Sequence, residues 1–297
     1  MDLDPKQTDA FQAVVELGSF DRAAARLSVT PSAVSQRVRA LETALGAALV
    51  LRTRPCRPTQ MGQRLLQYLR RALLLKTDLQ ADLLNLETGP TTVALALNSD
   101  SLGTWFFPAL ASLLVKDQFI LDLIVEDQDH TYELLKTGMA AGCVSTVAQP
   151  MRGCTAEVLG TMRYRLMAST SFRQRWLAGG LTREAARQAP VVAYTRKDTL
   201  QSSFLLDYLG LPEGAYPCHY VPGIEAHFAA VRYGVGYAMI PEWLLPSAAG
   251  GDDPLVDLAP RHPTDVALYW HTWKVQSPRM EGMSRHIVEA ARRILRP

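Results

Sequence analysis

The 297-residue chain holds only four cysteines, Cys56, Cys143, Cys154 and Cys218, far apart and with no CxxC pair. That spacing excludes a zinc ribbon, an iron–sulfur centre and a secreted disulfide scaffold, and leaves reduced, structural thiols. No run of about 18 apolar residues occurs, so no membrane-spanning helix and no membrane partner are expected. The opening MDLDPKQTD is acidic and polar where a signal peptide needs a basic start and an apolar stretch, which points to a cytoplasmic protein.

Catalytic signatures are missing too. There is no GxSxG turn for a serine nucleophile and no HExxH, and His130, His227, His262, His271 and His286 show no metal-ligand spacing. Gly234-Val235-Gly236 lacks the third glycine of a dinucleotide loop and reads as a turn before a buried strand. Cys218 and His219 are adjacent, and neighbours in an extended segment point to opposite sides, which disfavours a thiol–imidazole dyad. The sequence thus predicts no catalytic residues, no metal and no cofactor.

What is present is a globular composition, 48% hydrophobic and 20% charged with 19 Gly and 18 Pro, over a length suited to two or three domains. The net charge of +2 hides a segregation. From Arg22 to Lys76 eleven basic residues face one acid, Glu42, so the remainder of the chain carries −8. A basic block of this kind favours a polyanion, although a solvated Arg-rich helix face gives a milder version of the pattern.

Within that block the apolar spacing of Phe11, Val14, Val15 and Leu17 predicts a first helix from Pro5, stopped by Gly18. Asp21 is a candidate cap for an alanine-rich second helix, Arg22 to Leu27. After a turn at Ser28-Val29-Thr30, Thr30 caps a third helix with Pro31 at its first position and Val34, Val38, Leu41 and Leu45 on one face, ended by Gly46. Two helices crossing on small residues make a helix-turn-helix, with a protein-binding three-helix scaffold as the bland alternative. Leu49–Leu51 and the basic run to Pro58 read as a short strand pair, a wing lying along phosphates, and Thr59 caps a fourth helix. This long helix, about Gln60 to Glu87, carries Met61, Leu65, Tyr68, Ala72, Leu75, Leu79, Leu83 and Leu86 in a seam suited to helix pairing, or to packing on its own domain.

Gly89-Pro90 marks a boundary, after which strands and helices alternate. Strands are expected at Thr92–Leu97, Leu121–Val125 and Gly142–Thr146, with helices at Thr104–Leu114 and Thr131–Gly138. A second set begins near Arg163–Ser169 and includes Pro190–Tyr194, Leu200–Leu209, Glu225–Tyr233, Gly236–Ile240 and Pro241–Leu245. A last strand, Ala267–His271, precedes a helix from about Arg279 to Leu295. Two α/β subdomains joined by crossover strands would enclose a cleft.

The stretch FQAVVELGSFDRAAARLSVTPSAVSQRVRALETALGAALVLRTRPCRPTQMG, Phe11 to Gly62, resembles the winged helix-turn-helix of the LysR-type transcriptional regulators, and the likeness extends along essentially the whole chain. Where that family commonly has Phe-Arg-Arg near the wing, this chain has Leu51-Arg52-Thr53-Arg54. With LALNSDSLGTWFFPAL, VEDQDHTYELLKTGMAAGCVST, PCHYVPGIEAH and LYWHTWKVQSP, that departure resembles the branch that activates basic-amino-acid export in response to lysine or arginine. The resemblance implies a multidomain α/β fold: a DNA-binding domain over 1–59, a linker and dimerisation helix over 60–90, and an effector domain over 91–297 like the periplasmic binding proteins. Its subdomain I would be 91–162 with 264–297, and subdomain II 163–263. It also implies a homodimer or homotetramer on double-stranded DNA, near the nucleoid, with a small-molecule effector, an amino-acid transport gene as target and contact to RNA polymerase. A different effector, or a DNA-binding protein acting by occupancy alone, keeps the same architecture.

For DNA the candidates are Ser32, Ser35, Gln36, Arg37 and Arg39 on the outer face of the third helix, Gln36 being suited to adenine and Arg37 or Arg39 to guanine or phosphate. Free amides near Thr30, Pro31, Ser32 and Ala33 suit a phosphate. Arg52, Arg54 and Arg57 supply salt-dependent affinity. For the effector, Asn98, Ser99, Asp100 and Ser101 follow a strand and precede a helix, where hydroxyls and amides could hold an α-carboxylate and Asp100 an α-ammonium. Glu126, Asp127 and Gln128 end another strand in an acidic patch that suits ammonium or guanidinium, or else is a solvated turn. Ser145, Thr146, Tyr194, Thr195 and Glu225 occupy further strand-end or loop positions.

Overall fold

The computed structural model describes residues 3–84, 91–117, 119–126, 130–248 and 253–297. The chain forms two compact units: Met1–Thr88 with Glu133–Ala141 and Gln276–Pro278, and Gly89–Tyr132 with Gly142–Val275 and Arg279–Pro297.

In the first unit, α1 (Pro5–Leu17) starts at a proline whose missing N–H costs nothing there, with Asp4 capping Lys6 N at 2.8 Å, and stops at Gly18, φ 65°. The next helix, α2, is Phe20–Arg26. Its cap is Ser19, not Asp21, which sits in the first turn where its charge faces the positive helix end. Ser28 takes φ 54° in the turn, and Thr30 then caps α3 (Pro31–Leu45), accepting from Ala33 N at 3.2 Å. Ala10, Phe11, Ala13 and Val14 of α1 pack on Ala23 and Ala24 of α2 and on Val34, Val38 and Leu41 of α3; the alanines let the helices cross closely.

A two-stranded wing comes next, β1 (Val50–Leu51) antiparallel to β2 (Arg57–Pro58). Glu42 of α3 ties it down by accepting from Leu49 N at 2.8 Å and Val50 N at 3.3 Å. Thr59 then accepts from Gly62 N at 3.1 Å in the first turn of α4 (Gln60–Leu84). Leu66 of α4 is buried in the head core, while Met61, Tyr68, Leu73, Leu75 and Leu79 are exposed. Leu83's side chain, Leu86 and the expected Gly89-Pro90 boundary fall outside the described residues.

The second unit begins with β3 (Thr91–Leu97), then α5 (Ser99–Ser101), a π-helical stretch Leu102–Phe106 and α6 (Phe107–Asp117) in unbroken succession. The helix thus starts at Ser99, five residues before the expected Thr104; its polar opening looks like loop. Pro108 can neither donate to the carbonyl four residues back nor avoid it, and the widened turn just before it accommodates both.

There follow β4 (Phe119–Val125), α7 (Thr131–Lys136), β5 (Gly142–Ser145), β6 (Cys154–Ser169), α8 (Thr170–Trp176), α9 (Arg183–Gln188), β7 (Val191–Ala193), α10 (Leu200–Leu209), β8 (Cys218–Tyr220), α11 (Ile224–Arg232), β9 (Ala238–Pro241), a 3₁₀ turn Glu242–Ala248, β10 (Leu255–Asp257), β11 (Thr264–Trp273) and α12 (Pro278–Ile294).

One sheet runs β10-β6-β11-β5-β3-β4, with β9 also on β6, and β7 pairs β8 in parallel. β3 is parallel to β4 and β5, and β11 is antiparallel to β5 and β6. The strand expected near Arg163 begins at Cys154 instead and passes unbroken through the proposed subdomain border at 162/163. Its first half is broken in pattern by Glu157 and by Gly160, φ 137°, opposite a register shift in β11. Arg163 and Asp265, partners across β6 and β11, meet in a two-pronged ion pair at 2.6 Å.

At Gly62 a Cβ would lie 2.1 Å from the Leu49 carbonyl oxygen. Gly62→Ala should therefore separate α4 from the wing and lower stability by about 1–3 kcal/mol. Gly282→Ala in α12, where nothing lies within 4 Å, should hold or raise it. Thermal melts of the two variants decide; equal melting of Gly62→Ala and the parent contradicts this packing of the junction.

Candidate functional site

On the head, Thr30, Pro31, Ser32, Gln36 and Arg39 are exposed, and Ala33, Ser35 and Arg37 half-buried, along the side of α3 away from its Val34, Val38 and Leu41 face. Arg52, Arg54 and Arg57 are exposed on the wing. The wing is anchored: Cys56 N donates to Gly18 O at 2.8 Å, and the Arg52 guanidinium lies 5.2 Å from the Phe20 ring centroid. Helix face and wing thus form one basic surface with fixed parts.

The second unit contains a cavity of about 270 Å³. It lies at the carboxyl ends of β3 and β4, with walls from the segments after β7, the start of α10, the turn before α11, and β9. Six sequence candidates line it: Asn98, Ser99, Asp100, Glu126, Tyr194 and Thr195. Ser101 is buried outside the lining. Ser145 is buried at the end of β5, its hydroxyl accepting from Val147 N at 3.2 Å, so it turns back into its own loop. Thr146 is half-buried beside it, and Glu225 is exposed on the first turn of α11; neither lines the cavity. Asp127 and Gln128 fall outside the described residues.

Asp100 is 8% exposed and is held by two phenols, Tyr164 OH on one oxygen and Tyr194 OH on the other, each at 2.7 Å. Burial, reinforced by the Asp100 charge, raises both tyrosines far above their ordinary pKa, so both stay protonated and donate. Tyr194 stacks on His227, ring centroids 4.4 Å apart and 11° from parallel. Burial lowers His227 to about 4, so its imidazole is neutral at pH 7. Asp198 accepts from Tyr194 N at 3.2 Å and Leu200 N at 3.0 Å, fixing the loop. Glu126 pairs with Lys197 at 3.3 Å.

Sequence reading missed Asp198, Gln201 and His227. Asp198 carried a weak signal, an Asp two residues before a helix; the other two sit on apolar helices and enter the cavity only through tertiary packing. The lining holds three carboxylates, Asp100, Glu126 and Asp198, and no Lys or Arg among the described residues. Val125, Val192, Leu200, Pro222 and Met239 add apolar wall. Such a site fits a cation on an aliphatic stem. No group of three His, Cys, Asp or Glu among the described residues could hold a metal, and no described helix is long and apolar enough to cross a membrane.

Residues 5–63 match the family profile of bacterial regulatory helix-turn-helix proteins of the lysR family, and residues 90–292 the LysR substrate binding domain. The HTH-type transcriptional regulator ArgP of Aeromonas salmonicida is 38% identical over 296 residues, covering 99% of both chains. The crystal structure of ArgP from Mycobacterium tuberculosis is 40% identical, TM-score 0.86, covering 99% of both chains. Full-length LysG from Corynebacterium glutamicum with bound effector Arg is 34% identical, TM-score 0.78, covering 99% of this chain and 100% of that one.

The low His227 pKa sets a pH dependence. Unfolded, the imidazole takes up its proton below about 6.5; folded, only near 4. Its contribution to stability is complete above pH 6.5 and is lost as pH falls toward 4, amounting to about 3 kcal/mol. His227→Gln should flatten that limb of a denaturant-unfolding pH series, and an unchanged slope would show that His227 is not buried neutral.

Proposed function

This chain belongs to the LysR family of bacterial helix-turn-helix regulators, and from that premise we propose that it is a transcription regulator switched by lysine or arginine. The observation that carries the effector class is the cavity lining, three carboxylates and apolar wall with no lining Lys or Arg among the described residues. Positive charge and an aliphatic stem suit a guest there, since an anion would meet three carboxylates, of which Glu126 is paired with Lys197, in a partly desolvated space. The arginine in the Corynebacterium LysG structure supports the same class.

In this reading residues 1–59 bind double-stranded DNA, with Ser32, Ser35, Gln36, Arg37 and Arg39 of α3 in the major groove, Thr30 to Ala33 at a phosphate, and Arg52, Arg54 and Arg57 along the backbone. Residues 60–90 pair copies into a homodimer or homotetramer, for which the exposed Tyr68, Leu73 and Leu79 of α4 supply apolar surface. Residues 91–297 hold the effector. The protein is not an enzyme; it works in the cytoplasm on the nucleoid, controls an amino-acid transport gene and contacts RNA polymerase.

In thermal melts of the full chain, L-lysine and L-arginine should raise the midpoint, with about 2.7 kcal/mol gained at a hundred times Kd. Leucine and glutamate should not. Glu126→Gln should weaken lysine and arginine binding roughly tenfold; stabilisation by some other ligand alone would refute the effector assignment. On DNA recovered by genome-wide footprinting, Arg39→Ala should weaken binding and, if Arg39 meets phosphate, reduce the salt slope by about one. Affinity equal to the parent at moderate salt removes Arg39 from the interface. A footprint that effector leaves unaltered would mean occupancy, not switching.

A further inference from the structure

Gln201, the second residue of α10, lines the cavity and is 3% exposed. Its Oε1 accepts from Met239 N of β9 at 2.7 Å. A backbone N–H needs an acceptor, so this bond fixes which end of the amide faces β9. Nε2 is therefore the end left over, and it has no hydrogen-bond partner among the described residues. A buried donor left unmet is costly, and a lining donor is relieved when a guest supplies the acceptor.

The role of this donor rests on the basic-amino-acid reading of the cavity, which leaves one choice. Lysine and arginine at neutral pH carry positive donors at the α-amino group and at the side-chain end; their sole acceptor is the α-carboxylate. The helix start at Asn98–Ser101, where sequence reading put that carboxylate, already holds the buried Asp100 side chain in its first turn. Two carboxylates at one buried spot repel. We propose that Gln201 Nε2 binds the effector's α-carboxylate and thereby restricts the cavity to basic α-amino acids, rejecting the decarboxylated amines that differ from them only by loss of that group. The three lining carboxylates then serve the positive ends, and the neutral His227–Tyr194 stack adds wall that repels neither end.

The test measures binding of lysine, arginine, pentane-1,5-diamine and agmatine to the full chain by calorimetry, in the parent and in Gln201→Glu. Glutamate keeps an oxygen for Met239 N and turns the lone donor into an acceptor. The parent should prefer each amino acid to its decarboxylated form. The variant should lose roughly tenfold to a hundredfold for lysine and arginine and hold or gain for the two decarboxylated amines, which also reports that it is folded. Gln201→Met, which removes the donor without adding charge, carries the test if Gln201→Glu does not fold, and should give a smaller loss in the same direction. An unchanged ratio of lysine to diamine affinity overturns the assignment of Gln201 alone. A parent that binds neither lysine nor arginine overturns the effector reading, and this inference with it.

Discussion

A carboxylate taken out of water must be met by donors, and in the effector unit that demand falls on Asp100. Its two oxygens are taken by phenols from two other parts of the chain, Tyr164 on β6 and Tyr194 after β7. A buried group so paired is expensive to leave half-paired, so α5, β6 and the β7 loop are held in one arrangement. Other cavity features depend on it. Tyr194, fixed at its hydroxyl by Asp100 and at its backbone by Asp198, presents the ring face on which His227 stacks. The cavity wall is thus assembled from residues that are dispersed in sequence and joined by one anion's need for hydrogen bonds.

The head is organised by a related need at its helix ends. Asp4, Ser19, Thr30 and Thr59 accept the leading amides of α1 to α4, and Glu42 accepts two amides of the wing strand. With these satisfied locally, the outer face of α3 has no internal task. The basic surplus is not all spare, however. Arg26 and Arg70 both reach Glu16, so part of it stabilises the head itself. Arg39, Arg54 and Arg57 have no ion-pair partner among the described residues, which leaves their charge for an external anion.

How far the sequence could be read depended on where the determining contacts lie. α1, α3 and the wing were legible because their caps and apolar faces are local: Thr30 before Pro31, then Val34, Val38 and Leu41. The assignment of Asp21 as a cap failed because Ser19 competes two residues earlier and sequence does not weigh the two. Cys154–Met162 was missed since Gly160 and Glu157 break the strand pattern, while its extended form comes from pairing with β11. Of the cavity lining, Asn98 to Asp100, Glu126, Tyr194 and Thr195 were legible from strand ends, a rule of topology. Gln201 and His227 lie on helices with nothing local to mark them, and only the packing of β9 and Tyr194 against them brings them to the cavity.

The split of charge marks the head, and it does not mark the cavity. Residues 1–76 carry +6 and residues 91–297 only −1, so a polyanion is favoured at the head, while the net charge of the effector unit selects no ligand by itself. Recognition has to come from contacts that net charge cannot supply. The apolar wall from Val125 to Met239 rejects a bare hydrated ion, which gains nothing from it. In the proposed reading the Gln201 Nε2 donor makes the guest's other end matter, because a guest lacking an acceptor leaves that N–H unmet in a desolvated wall.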